Sequence, residues 1–142
     1  MRNVKTLDLA DAKKAISAME KKANSMSINL CFCIVDAINN VIILEQMDDS
    51  KVHSINLSRA KAITSVSLKD STENAGKLIK ELGIETSYWA GGCETGFKGG
   101  IPVYENKEAT APMGAIGVSG GTEDQDQEIA LLGLKAMGYI TK

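Results

Sequence analysis

The stretch that most constrains this chain lies towards its carboxy-terminal end, where Met113 to Val118 runs into Ser119-Gly120-Gly121 and then Thr122-Glu-Asp-Gln125. Within Met113–Val118, Ala115 and Gly117 alternate with Ile116 and Val118. That pattern suits a central strand covered on both faces, because small residues admit a helix at close range. The glycines that follow are free to take positive φ, and Thr122 with Gln125 forms a capping box: Thr122 accepts the N–H three residues on, and Gln125 reaches back. A helix therefore starts here. Its apolar residues Ile129, Leu132 and Ala136, with Leu131 and Leu134, oppose Asp124, Gln127, Glu128 and Lys135, so one face packs on the sheet. A phosphate cradle at the glycines is disfavoured. Glu123, Asp124, Asp126 and Glu128 already place negative charge at the helix start, and no lysine follows the glycines.

Upstream, Leu9, Ala12, Ile16, Met19 and Ala23 recur at steps of three and four, which predicts a first helix over about 8–24 with Thr6 or Asp8 as its cap. Residues 28–36 alternate and are β-rich. Asn39-Asn40 then offers two positive-φ residues before Val41 to Met47, predicting an antiparallel hairpin. Helical spacing resumes from Ser54 to about Leu68. A separate helix follows, with Asp70 or Ser71 as cap, Ala75, Leu78, Ile79 and Leu82 on one face, and Gly83 as its stop. Residues 84–98 have no clear period and hold the only Trp, with a short strand expected near 95–98; so long an irregular segment points to a functional or interfacial role. Ile101 to Tyr104 reads as another strand. The order of helix, hairpin, two helices, loop, hairpin and helix predicts an α+β domain with a central antiparallel sheet.

At 142 residues one domain spanning 1–142 is expected, burying about two-thirds of its unfolded surface. A formal charge of −2 with both signs interspersed leaves no basic stripe, so neither nucleic acid nor an anionic membrane is an expected partner. The first residues lack the apolar core of a signal peptide and no run is long enough to span a bilayer, which predicts a cytoplasmic protein. Cys31, Cys33 and Cys93 are odd in number, and the first two are expected on opposite faces of their strand, so they read as buried reduced thiols rather than metal ligands.

Gly99-Gly-Ile-Pro-Val103 followed by Gly114-Ala-Ile-Gly-Val-Ser-Gly-Gly-Thr-Glu-Asp-Gln-Asp126 resembles the GlcG/HbpS-like family, also found as the carboxy-terminal domain of PduO-type proteins. Matches extend upstream through Leu9 with Ala12, Ile34-Val35-Asp36, Glu45 with Met47-Asp48, and Lys61-Ala62-x-Thr64. The resemblance covers nearly the whole chain. It implies a profilin-like fold with a five-stranded antiparallel sheet, helices on both faces, and assembly into homo-oligomers. It also implies haem binding or handling. Other members occur beside coenzyme-B12-dependent diol or glycerol metabolism or glycolate utilisation, which leaves an accessory enzyme or cofactor-handling factor as an alternative. A third reading is a non-catalytic oligomeric partner module with Tyr88-Trp89 buried between subunits. Gln46 departs from the family pattern, standing where an Arg is common before Met-Asp.

Haem iron needs an axial donor beside an apolar surface. His53, the only histidine, enters the second helix and is the candidate metal ligand; Cys93, Tyr88, Tyr104 and Met113 are the other possible donors. Gly99, Gly100 and Pro102 of the GGIPV segment complete the candidate cofactor-binding set, with a tetrapyrrole or other small molecule as the ligand. The remaining residues with chemical potential are Asp36, Asp48, Lys61, Thr64 and Glu94. Of these, Asp36 reads as shaping the hairpin turn, and Lys61 as a solvated or interface residue on its helix. Apolar residues spread around the second helix, Leu57 and Ala60 beside Ile55, Ala62 and Val66, also predict a second buried contact and hence assembly.

Overall fold

The computed structural model describes residues 1–142. Its elements are α1 (Leu9–Ser25), β1 (Cys31–Asp36), β2 (Val41–Gln46), α2 (Ser54–Leu68), α3 (Thr72–Leu82), β3 (Gly100–Val103), β4 (Gly114–Ser119) and α4 (Glu123–Met137), with a 3-10 turn at Thr86–Trp89. The strands form one sheet in the order β2-β1-β4-β3, every pair antiparallel. Four helices and four antiparallel strands make this an α+β fold. The sheet has four strands and not the expected five: beside β3, Tyr104 and Ile140 exchange two backbone hydrogen bonds as an isolated bridge. No strand forms at 95–98 either. Pro102 lacks an N–H, and it sits in an edge strand, where a missing donor is tolerated.

Caps settle most helix ends. The Asp8 side chain accepts from Asp11 N–H at the start of α1, and Ser71 accepts from Asn74 N–H at the start of α3. Gly83 ends α3 in the left-handed conformation, and α4 carries the complete Thr122/Gln125 capping box. Asp36 shapes its turn as expected, one carboxylate oxygen accepting from the Ile38 and Asn40 N–H groups and the other from the Asn40 amide. Only Asn39 takes positive φ there, at 67°, and not both asparagines. The Asn39 N–H closes a turn on the Asp36 carbonyl, so the connection is a four-residue turn with one left-handed residue rather than a two-residue one.

On one face α1 and α4 cover Phe32, Ile34, Ile116 and Val118, forming the main core. The α4 face is rotated from the expected stripe: Ala130, Gly133 and Met137 are buried with Ile129 and Leu134, while Leu131 and Ala136 point outward. Gly133 explains the rotation, because a Cβ there would lie 2.7 Å from Met19 Sδ of α1; the two helices meet at that glycine. Leu9 is exposed for a related reason, α1 presenting Ala12, Ala15, Ile16, Met19 and Ala23 instead.

On the other face α2 lies directly over β1 and β4, with Cys33, Val35 and Ala115 meeting Ala62, Ile63 and Val66. Cys31 and Cys33 share this face, contrary to expectation, since residues two apart on a strand point the same way; they pair across the sheet with Ser119 and Gly117. Both are buried and all three cysteines are free, and burial pushes the Cys33 thiol up to about 12, against a smaller opposing effect of Arg59. Gly117 sets the spacing of this layer. A Cβ there would run into the Ser58 carbonyl and come within 2.8 Å of the Ala62 nitrogen.

Gly117→Ala therefore destabilises by about 1–3 kcal/mol through overpacking, read by chemical denaturation. An unchanged midpoint would mean that α2 is not held at this distance.

Candidate functional site

The sheet-facing side of α2 runs through Ser54, Ser58, Lys61, Ala62 and Ser65, all buried. Lys61 therefore enters the interior. It is 1 % exposed, and its Nζ donates to the Val118 carbonyl at 2.8 Å and to Asp126 Oδ2 at 2.9 Å. Asp126 arrives from the first turn of α4, likewise buried, and its Oδ1 accepts the Gly121 N–H at 2.9 Å. The pair thus ties α2, the end of β4 and the start of α4 together. Gly99, at φ +118, makes room for it: a Cβ there would lie 3.0 Å from both Lys61 Nζ and Asp126 Cβ.

Burial pushes the Lys61 ammonium below the usual lysine range, and Asp126 beside it pulls it back. Burial likewise pushes the Asp126 carboxyl up, opposed by Lys61 and by the Gly121 N–H. Asp126 accepts at both oxygens, Oδ2 from Lys61 and Oδ1 from the Gly121 N–H, while the Val118 carbonyl takes a second Lys61 proton, an arrangement that favours carboxylate and ammonium.

Lys61 and Asp126 line a pocket of about 250 Å³ together with His53, Lys51, Phe97 and Gly121. Phe97 and Glu123 also border a second hollow of about 500 Å³ between α3 and residues 96–98, which carries Lys77, Lys80 and Lys98. The two hollows therefore adjoin at Phe97, a residue 56 % exposed. His53 stands at the start of α2, exposed, without a capping bond from its side chain. The irregular segment is tied to α2 by Thr64, whose Oγ1 accepts the Thr95 N–H at 3.0 Å while donating to the Ala60 carbonyl.

Among the residues singled out from sequence, His53 borders this pocket and Gly99 packs beneath its ion pair. Gly100 is buried under α2, donating its N–H to Thr72 Oγ1, and Pro102 is buried in β3. Cys93 packs against the small core under α2, with Glu94 Oε2 accepting its N–H. Tyr88 lies exposed on the 3-10 turn, Tyr104 is buried with its hydroxyl on the Lys69 carbonyl, and Met113 is core. Asp48 lines a separate acidic hollow with Glu20 and Glu45.

Lys61 is neither solvated nor at a free surface, contrary to expectation, and its partner Asp126 was read only as helix-start charge. The spacing holds a signal for both: Asp126 shares a face with Ile129, Ala130 and Gly133, and Lys61 shares one with Ser58, Ala62 and Ser65.

A family model described as "Haem degrading protein HbpS-like" matches residues 7–135. The chain is 33 % identical over 131 residues to the "Uncharacterized 15.0 kDa protein in dhaT-dhaS intergenic region" of Citrobacter freundii, covering 89 % of each. Among solved structures, Klebsiella pneumoniae ORFY superposes with a TM-score of 0.88 at 32 % identity, covering 97 % of this chain and 94 % of that one. The structure of PduOC in complex with haem superposes with a TM-score of 0.86 at 24 % identity, covering 96 % and 98 %.

Lys61→Met strands the Asp126 carboxylate and lowers the unfolding free energy by about 3–5 kcal/mol. Adding Asp126→Asn, which keeps an acceptor for Gly121, recovers more than half of that loss in a double-mutant cycle. A single-variant cost within experimental error of zero would show that the pair is not buried as described.

Proposed function

The chain belongs to the HbpS-like family, and from that premise we propose that it is a haem-binding protein, working in the cytoplasm as a homo-oligomer. One observation carries the reading: an exposed imidazole, an exposed aromatic ring and several lysines border two adjoining hollows. A flat tetrapyrrole needs an axial donor, an apolar surface and cations for its propionates. His53 supplies the donor, Phe97 and Leu57 the apolar surface, and Lys51 with Lys80 the cations. Bound haem supplies iron-centred redox chemistry there; the chain's own part is to hold the macrocycle and limit its exposure.

Neither hollow encloses a macrocycle by itself, so the fit is to a one-sided site. That favours assembly, since a second subunit would cover the outer face of the ring. Exposed Leu78, Leu82 and Tyr88 near the larger hollow's helix and loop add apolar surface available for such a contact. Three free cysteines, two of them buried, accord with a reducing compartment.

Haemin titration followed by absorbance tests the reading. A saturable, sharp Soret shift is expected in the wild type and is lost in His53→Ala; broad, unsaturable absorbance in both proteins would overturn it. Light scattering across the micromolar range is expected to give a mass above that of one chain, and a monomer throughout would refute the assembly.

A further inference from the structure

We infer that the pocket beneath the Ser119-Gly120-Gly121 turn binds a carboxylate, received by the third N–H of Lys61. An ammonium has three protons to donate. Lys61 uses two, on Val118 and Asp126, and it lines the pocket. A buried donor left without an acceptor is costly, so the remaining proton calls for a partner from the pocket side. The surroundings select an anion. Lys51 lies on the rim, and the Asp126 charge is already matched by Lys61 and the Gly121 N–H. Glu123, the other acid lining the pocket, accepts the Lys98 N–H and faces the positive charge of Lys98, which also pairs with Asp124 and Glu73. Leu57 and Phe97 border the same space, so the carboxylate is one carried on an apolar body rather than a bare inorganic ion.

Two sources carry this chemistry: a propionate arm of a tetrapyrrole, or a free small carboxylic acid. The site rests on Lys61 and not on His53, so it stands or falls separately from iron ligation.

The probe is sodium propionate, followed in ¹H–¹⁵N spectra of the full chain with sodium chloride at equal ionic strength as reference. Saturable shifts of the Lys61 ammonium and the Gly120 and Gly121 amides are expected with propionate alone. Lys51→Ala, at an exposed position, weakens binding about two- to five-fold by loss of one rim charge. The Lys61→Met/Asp126→Asn protein loses it altogether; should that variant not fold, the Lys61 resonance of the wild type still decides. Shifts no larger than with chloride, or undiminished binding in the folded double variant, would overturn the site. Competition then separates the sources. Displacement of propionate by haemin but not by its dimethyl ester supports the site and assigns the propionate arm, whereas propionate retained against both supports it for a free acid.

Discussion

The buried ion pair between Lys61 and Asp126 joins parts of this molecule that are far apart in sequence. A buried charge pair is poor cement on its own, since desolvation offsets much of its attraction. Its consequence is geometric. An ammonium and a carboxylate out of water tolerate few arrangements, so the pair sets how α2 crosses β4 and where α4 leaves the sheet. Backbone groups complete it: the Val118 carbonyl takes a proton from Lys61, and the Gly121 N–H gives one to Asp126. Any rearrangement of the glycine turn would break a bond to a buried charge.

The glycines make that arrangement possible, and they do so as absences of side chain. Gly117 lets the α2 backbone lie on the sheet, and Gly99 leaves the space through which the Lys61 head meets Asp126. The residues that carry the family resemblance, Lys61-Ala62-x-Thr64, GGIPV and the run from Gly114 to Asp126, are thus parts of one structural unit. Thr64 extends it by holding the irregular segment, which places Phe97 over the pocket. Packing, charge and the walls of the candidate site share the same residues.

Much of the fold was legible from local signals, because caps, turns and strand alternation depend on neighbours in the chain. The capping box of α4, the Gly83 stop and the Asp36 turn all came from residues within four positions of each other. Helix faces were less legible. Apolar periodicity in α4 pointed at Leu132 and Ala136, whereas contact with Met19 at Gly133 turned the buried face toward Ala130 and Met137. Hydropathy counts Gly as neutral, so a face defined by a glycine contact is invisible to it.

The site divides along the same line. His53 could be singled out as the only imidazole, a matter of side-chain chemistry, and GGIPV and Gly114 to Asp126 as the stretches that matter. That Lys61 is buried, that Asp126, 65 positions on, is its partner and that Phe97 joins two hollows depend on distant parts of the chain, whose meeting is set by the crossing of α2, β4 and α4. Local sequence thus determined the elements and their ends, since propensity and capping act over a few residues. Only the tertiary structure decided which charges lose their water and which surfaces face each other, because desolvation belongs to the assembled layers and to no segment alone.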